Sequence, residues 1–271
     1  MRSIRVVTLN LWNDAANSRR RMEILLPQLL ALQAQVVALQ EVRRRRDESG
    51  QAEAIARALS AEFRFAVVDP HSEGGPVGNA LVSKLPIVSQ AILPLPGGRP
   101  SDPRNALRCD LETGDGRLPL ITTHLSWELD ASTVREQQVV LLDEWARRDP
   151  GELPTILCGD FNCTPDSMVH QFLTGRAALL GRATYWRDAY QRRHPRSDGF
   201  TWSARNPHVA RNVERDRRID YVFVGPMHDR GPGAILHSRV VLDMPDTDGT
   251  YPSDHFGVFA EIATIPVDAG V

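Results

Sequence analysis

The sequence predicts β-sheets stacked on one another and flanked by helices. Short β-like runs recur from one end of the chain to the other, and helical patterns interrupt them at two places. No repeat, low-complexity tract or composition break divides the 271 residues. That length suits one large domain or two small ones and can bury a sizeable core. With no break in view, residues 1–271 read as a single domain.

Residues 4–9 read as a first strand. Ser18 can cap a helix whose Met22, Leu25, Leu26, Leu29 and Leu32 share one face, and Pro27 would break or kink it. Residues 36–40 (VVALQ) are a continuous apolar run, as expected of a buried strand. Residues 51–60 read as a second helix. Strands follow at 64–68, 79–83, 87–93, 106–111 and 118–124, with Gly114, Asp115 and Gly116 turning the last two into a hairpin. Thr133 and Glu136 form a capping-box pattern for a helix reaching about Arg148. Residues 155–158 read as another buried strand, 166–173 as a short helix, and 218–224 and 256–262 as late strands. Loops rich in Pro, Gly and Asp link these elements at 70–78, 94–105 and 243–253.

Hydrophobic residues make up 42% of the chain and the net charge is -2. That balance argues against a dedicated non-specific nucleic-acid binder, which needs a basic face, but leaves room for a local basic groove. Cys109, Cys158 and Cys163 are odd in number and irregularly spaced, so they make neither a disulfide framework nor a zinc cluster. Reduced thiols in a cytoplasmic protein are expected. The opening MRSIRVVTLNLWND is polar within a few residues, which fits a strand and not a signal peptide. No stretch approaches the ~18 apolar residues of a membrane helix, and no membrane or obligate protein partner is expected.

Polar residues gather where the predicted strands end. Asn10 closes the first strand and Glu41 the second. His124 ends the hairpin's return strand. Gly159-Asp160-Phe161-Asn162 follows TILC, Asp220 sits inside an apolar run, and Asp254-His255 precedes the final strand. Strand ends that converge on one rim are a normal place for a site. A buried carboxylate needs a cation or a hydrogen-bond partner. Singly, each acid could pair with an arginine such as Arg218 or Arg108; the recurrence of six such positions points to a shared site. Carboxylates of Glu41 and Asp254 with the amide oxygen of Asn10 suit a hard cation, Mg²⁺ or Mn²⁺, better than zinc. Arg205, Arg211, Arg215, Arg217 and Arg218 precede Asp220 and are candidates for contacting an anionic substrate; the Arg43–Arg46 run after Glu41 reads first as a solvated loop, with a phosphate-binding rim as the alternative. Trp12 and Trp202 lie near these segments, as core packing or as stacking surfaces.

TLNLW, ALQEV, GNALVSKLPI, TTHLS, CGDFNCTPDS, RRIDYVFV and YPSDHFGV together resemble the endonuclease/exonuclease/phosphatase superfamily, whose members have the deoxyribonuclease-I-like fold. ALQEV or THL alone would be weak. GDFN, IDYVF and SDH in order, after an N-terminal LN and QE and spread over nearly the whole chain, are specific. The resemblance implies an α+β, four-layer α/β/β/α sandwich of two packed, mostly antiparallel sheets. It implies a Mg²⁺-dependent phosphoester hydrolase, with Mn²⁺ a possible substitute. Glu41 would be the main metal carboxylate, with Asn10 beside it and Asp254 nearby. Asp160 would activate or orient the attacking water, and Asn162 would hold that water or a phosphoryl oxygen. Asp220 would hold His255, which acts as base or as donor to the phosphoryl group. His124 would donate to the scissile phosphate or assist the leaving group. Asn79, Arg217 and Arg218 are the substrate-binding candidates. A nuclease or phosphodiesterase acting on nucleic acid or nucleotides is the first expectation. A phosphomonoesterase of inositol, sugar or nucleotide phosphates is the alternative, and a non-catalytic binding module the third. The sequence leaves open the general base and whether one or two ions bind.

Overall fold

A computed structural model of the chain describes residues 2–14, 17–44, 50–72, 74–99, 101–210, 214, 216–225 and 231–267. Its first half runs β1 (Ser3–Asn10), α1 (Ser18–Ala31), β2 (Val36–Arg43), α2 (Gln51–Leu59), β3 (Glu62–Asp69), β4 (Val77–Ser83), β5 (Ile87–Leu95) and β6 (Arg104–Glu112). The second half runs β7 (Arg117–His124), α3 (Ser132–Arg148), β8 (Ile156–Asp160), α4 (Met168–Leu173), β9 (Arg187–Asp188), α5 (Ala189–Arg193), β10 (Asp220–Val224), β11 (Ile235–Val241) and β12 (Gly257–Ala263).

The strands form two six-stranded sheets, ordered β11-β12-β1-β2-β4-β3 and β5-β6-β7-β8-β10-β9. Alternation along each central strand divides the core into three apolar layers. Val6 joins Leu107, Leu120 and Val222 between the sheets. Its neighbours Val7 and Leu9 pack instead with Leu25 and Leu29 of α1 and Ile55 of α2. Ile121, Leu157 and Phe223 pack with Val139 and Leu142 of α3 and Phe172 of α4. The order is therefore helices, sheet, sheet, helices, as expected from the sequence. Gln40 ties the sheets together, donating to Thr8 at 3.1 Å and across to Thr122 of β7 at 2.9 Å.

Each sheet is built on one β-α-β crossover. Among the described residues the parallel pairs are β1 with β2 and β7 with β8; the other named pairings are antiparallel. The C-terminal ends of these four central strands consequently share one rim. β10 and β12 run the opposite way, so they start at that rim.

Several local expectations are corrected. Asn17, in left-handed backbone, precedes α1, and Ser18 is its first residue. The helix continues through Pro27, whose ring sits on the exposed face. A carbonyl left without its N–H partner can turn to water there. α3 starts at Ser132 with no side-chain cap, so Thr133 and Glu136 make no capping box. The Ala131 carbonyl already accepts from Arg135 N–H, which moves the first turn forward by a residue. α4 starts at Met168 under a Ser167 cap, not at Asp166. β9, α5 and β11 carried no clear sequence signal. β11 is an edge strand with an irregular register between Ile235 and His237, which breaks its alternation.

Candidate active site

Backbone register brings the polar strand ends together. Asn10 lies level with Gln40, His124 with Asp160, and Asp160 with Asp220. Glu41 follows Gln40 inside a bulge: the β2–β4 register shifts between Leu39 and Val42, and Glu41 takes a φ of 54°. The bulge re-aims its side chain out of the ladder. Gly159 has a φ of 137°, and a Cβ there would lie 2.0 Å from the Thr123 carbonyl oxygen. Only glycine lets β8 approach β7 this closely beside Asp160. Trp12 and Asn162 also have left-handed backbone, φ 56° and 48°. Such residues cost on the order of 1 kcal/mol each and persist where surrounding contacts fix them.

Those contacts are on the rim. Asn10 Nδ2 donates to Asp160 Oδ2 at 3.0 Å and to Glu41 Oε1 at 3.2 Å, while its Oδ1 accepts from Trp12 N–H at 2.9 Å. Asn10 thus presents its nitrogen, not the oxygen expected at a metal, to the two acids. Glu41 Oε2 accepts from Asn13 N–H at 2.8 Å. His124 Nε2 lies 3.4 Å from Asp160 Oδ2, and its Nδ1 lies 3.9 Å from Glu41. His255 Nδ1 pairs with Asp220 Oδ2 at 3.0 Å, which leaves Nε2 facing Asp160 at 3.8 Å. Asn162 N–H donates to Asp160 Oδ1 at 2.9 Å, and its side chain donates to the Leu125 carbonyl. Asp254 accepts from Ser253 Oγ, whose contact with the Asn10 carbonyl joins the last loop to β1.

The electrostatics follow from crowding acids out of water. Burial and the charge of Asp220 push Asp160 up to about 7, against the pull of His255. Burial, and after it the charge of Glu41, push Asp254 up to about 6, again against His255. For His255, burial opposes the charge, but Asp220, Asp254 and Asp160 outweigh it and hold the imidazole well above its ordinary value. Burial, with Arg104 and His255 nearby, holds His124 well below its ordinary value, so it is neutral. Asp220 Oδ1 is buried with no hydrogen-bond partner.

This donor set fits a divalent cation. Burial first, and then the neighbouring carboxylates, make Asp160 and Asp254 hold protons tightly, and a divalent cation would supply the missing counter-charge. Arg21 is within electrostatic reach of Glu41 and Asp254. Its guanidinium hydrogens, however, go to the carbonyls of Leu11, Trp12 and Asp14 at 2.8, 3.1 and 2.5 Å. Asp160, Asp220 and His255 offer ligand atoms all within 4.8 Å of one another.

A cavity of about 550 Å³ opens over these groups, lined by Glu41, His124, Asp160, Asn162, Asp254 and His255 with Trp12, Trp127 and Trp202. A smaller one of about 180 Å³ adjoins it, shares Glu41, His124 and Trp127, and adds Asn79, Asp102 and Arg104. Asn79 is buried there and donates to the Asn105 carbonyl and side chain at 3.1 and 3.0 Å. Arg217 lines the larger cavity and pairs with Glu214. Arg218 does not line either cavity. It is 4% exposed, bonds Asp188 at 2.5 Å and covers the ring of Tyr221, so the expectation of a substrate contact is corrected to a structural role. Arg108 likewise pairs with Asp110, away from the site acids. Arg211, Arg215, Arg45 and Arg46 lie outside the described residues.

Sequence reasoning missed the groups that hold these side chains. Arg21, 2% exposed on α1, pins the loop whose Asn13 amide holds Glu41 and lies over the Trp12 ring. Thr201 Oγ1 accepts from the amide of Asp220, and Trp202 meets the His255 ring edge-on at 4.9 Å. A charged residue at a core position of α1 was the one available signal for Arg21. Arg104 beside His124 carried none.

Residues 7–255 match the profile described as the Endonuclease/Exonuclease/phosphatase family. Over 185 residues the chain is 26% identical to Nocturnin of Drosophila melanogaster, a match covering 59% of this chain and 28% of that protein's length. The fold is similar to D. rerio TDP2 complexed with single strand DNA product (TM-score 0.78, 20% identity, 97% of this chain and 100% of that one). It is also similar to the human Nocturnin catalytic domain with bound sulfate anion (TM-score 0.70, 21% identity, 96% and 93%). Among the described residues no helix is long and apolar enough to cross a membrane.

Proposed function

The chain belongs to the endonuclease/exonuclease/phosphatase family, and on that premise we propose that it is a Mg²⁺-dependent phosphodiesterase or nuclease. Members of the family are phosphoesterases and generally use divalent metals. The observation that carries the reading is the meeting of Asp160 with both imidazoles, at 3.4 and 3.8 Å, in a cavity that also exposes Glu41 and Asp254. Glu41 and Asp254 would hold the ion, with Asn10 beside them. When bound, Mg²⁺ neutralises charge on the phosphoryl or leaving oxygen.

Asp160, pushed up to about 7, is poised near neutral pH to accept the proton of an attacking water. Asn162 fixes that carboxylate through its backbone N–H. His255, held as imidazolium by the acids around it, donates its Nε2–H to a phosphoryl oxygen. His124 is neutral and offers a ring N–H to the scissile phosphate or the leaving group. Asn79 and Arg217 line the approaches and would contact the rest of the substrate. Residues 1–271 act as one domain in this reading, and the three unpaired, buried cysteines suit a cytoplasmic setting.

The test is hydrolysis of bis(p-nitrophenyl) phosphate, a single-stranded oligonucleotide and p-nitrophenyl phosphate. Turnover is expected with Mg²⁺ or Mn²⁺, is abolished by EDTA, and falls at least ~10²-fold in Asp160→Ala. Activity that survives thorough chelation contradicts the metal role. Turnover confined to the monoester replaces the phosphodiesterase reading with a phosphomonoesterase.

A further inference from the structure

Trp127 is 63% exposed at the edge of the catalytic cavity, yet the loop that carries it is fastened on both sides. Leu125 and Ser126 are buried, Trp127 is exposed, Glu128 is buried, Leu129 is 74% exposed and Ala131 is buried. Arg135 Nη1 donates to the carbonyls of Ser126 and Glu128, both at 2.8 Å. Gln138 accepts from Ser126 N–H and donates to Ser126 Oγ, and that hydroxyl donates to Asp102 at 2.8 Å. The backbone is held by buried polar groups while two large apolar side chains project into water. A single exposed apolar side chain is ordinary; two held outward together by a fastened backbone at the mouth of a cavity offer it a contact surface.

The three cavity indoles differ in what already covers them. Trp12 lies against His208 at 4.6 Å and under the Arg21 guanidinium at 4.7 Å. Trp202 is engaged with His255. Among the described residues Trp127 has no ring or cation partner, so its face is free. It lines both cavities and stands three residues beyond His124, a span of at most ~10 Å. That is within reach of a group attached to a phosphate at His124. Glu41, Asp160, Asp254 and both imidazoles line the same space, so its indoles, Leu129 and Ile219 are interspersed with polar and charged groups. A planar ring with polar edges suits that environment; an acyl chain needs apolar walls all round.

We propose that Trp127, backed by Leu129, is the stacking ledge for a nucleobase next to the scissile phosphate, which makes the substrate a nucleotide ester or single-stranded nucleic acid. The proposal rests on the phosphodiesterase reading and narrows it. Base–aromatic stacking tolerates any base, so Trp127 sets affinity for nucleosides without choosing among them.

Three diesters with a common p-nitrophenyl leaving group test it, carrying thymidine 5′-phosphate, methyl phosphate or octyl phosphate. The native enzyme should prefer the thymidine ester in kcat/KM. Trp127→Ala should lose about tenfold of that preference, through KM, and Trp127→Phe should recover part of it. The exposed position makes misfolding of these variants no concern. Equal losses on the thymidine and methyl esters, or a preference for the octyl ester, overturn the proposal. Calorimetric titration with thymidine 5′-phosphate separates the two layers. Weaker binding to Trp127→Ala with no diester turned over defeats the hydrolase reading and supports the ledge. Equal binding to both proteins overturns the ledge whatever the turnover.

Discussion

Asp188 and Asp160 are both buried carboxylates beside an imidazole, one on each strand that flanks β10. Asp188 accepts from His170 Nε2 at 2.9 Å, from Arg218 Nη1 at 2.5 Å and from the Gln191 amide at 3.1 Å. Although burial raises it, His170 and Arg218 hold it below the usual carboxylate range. Arg176 donates to His170 Nδ1, so the imidazole proton sits on Nε2 and points at Asp188. Both carboxylate oxygens of Asp188 are hydrogen-bonded, and among the described residues Asp188 lines neither of the two cavities at the rim. Asp160 has the reverse balance. It shares its surroundings with Asp220 and Asp254, is pushed up to about 7, and faces a cavity. A buried acid is therefore no sign of chemistry in itself. Charge left unbalanced at an open surface is.

The largest effect expected from that contrast is on stability. Asp188→Asn strands the Arg218 guanidinium in a site 4% exposed, and removing one member of a buried pair costs about 3–5 kcal/mol. The folded fraction should keep its turnover. Because the folded pKa of Asp188 is depressed, its contribution is present above the ordinary 3.8 and fades as pH falls through the folded value. Urea melts at pH 7 and below pH 4 should show the variant's deficit shrinking in acid. Activity lost in proportion beyond the folded fraction would erase the distinction between the two clusters.

The next effect is catalytic. His255→Ala should lower the kcat of the folded fraction about 10²-fold, roughly 3 kcal/mol, a loss that remains after correction for any fall in stability. Asp220→Asn acts through the same imidazole, by removing the 3.0 Å partner of Nδ1. The double variant should be no slower than the worse single one. Losses that simply multiply would show that the two side chains work independently.

How much of this was legible in the sequence depends on what each residue's signal was. Asn10, Glu41, His124, Asp160, Asp220, Asp254 and His255 stand out because a charge or amide ends or enters an apolar run, and register carries them to one rim. The layer order was legible for the same reason, since strands apolar on both faces demand cover on both. Arg217 and Arg218 were not separable. Adjacent residues on an extended chain point to opposite sides, and one lines the cavity while the other reaches Asp188. Trp127 was invisible as a ledge, because its exposure depends on Arg135 and Gln138 of α3 holding the loop. Arg21 acts through carbonyls, which no side-chain pattern announces.

The smallest expected effect reads the charge imbalance directly. Asp160 and Asp254 titrate at about 7 and about 6 in the folded chain, above the ordinary 3.8. The folded state thus binds more protons than the unfolded one between these values. Their contribution is full below pH 4 and is lost progressively from there until pH has passed the folded values, so the metal-free protein should lose stability from about pH 4 to about pH 7. A divalent ion replaces those protons as the counter-charge. Its stabilisation should be slight at pH 5 and reach about 1.4 kcal/mol at pH 7.5 with Mg²⁺ at ten times its dissociation constant, a shift of a few degrees. Thermal melts with Mg²⁺ or EDTA at both pH values measure it. Asp188→Asn should leave the pH-dependent part of the shift intact, and Asp254→Asn should shrink it. A Mg²⁺ shift of equal size at pH 5 and 7.5 would mean that the rim acids do not trade protons for the ion, and the contrast with Asp188 would lose its physical basis.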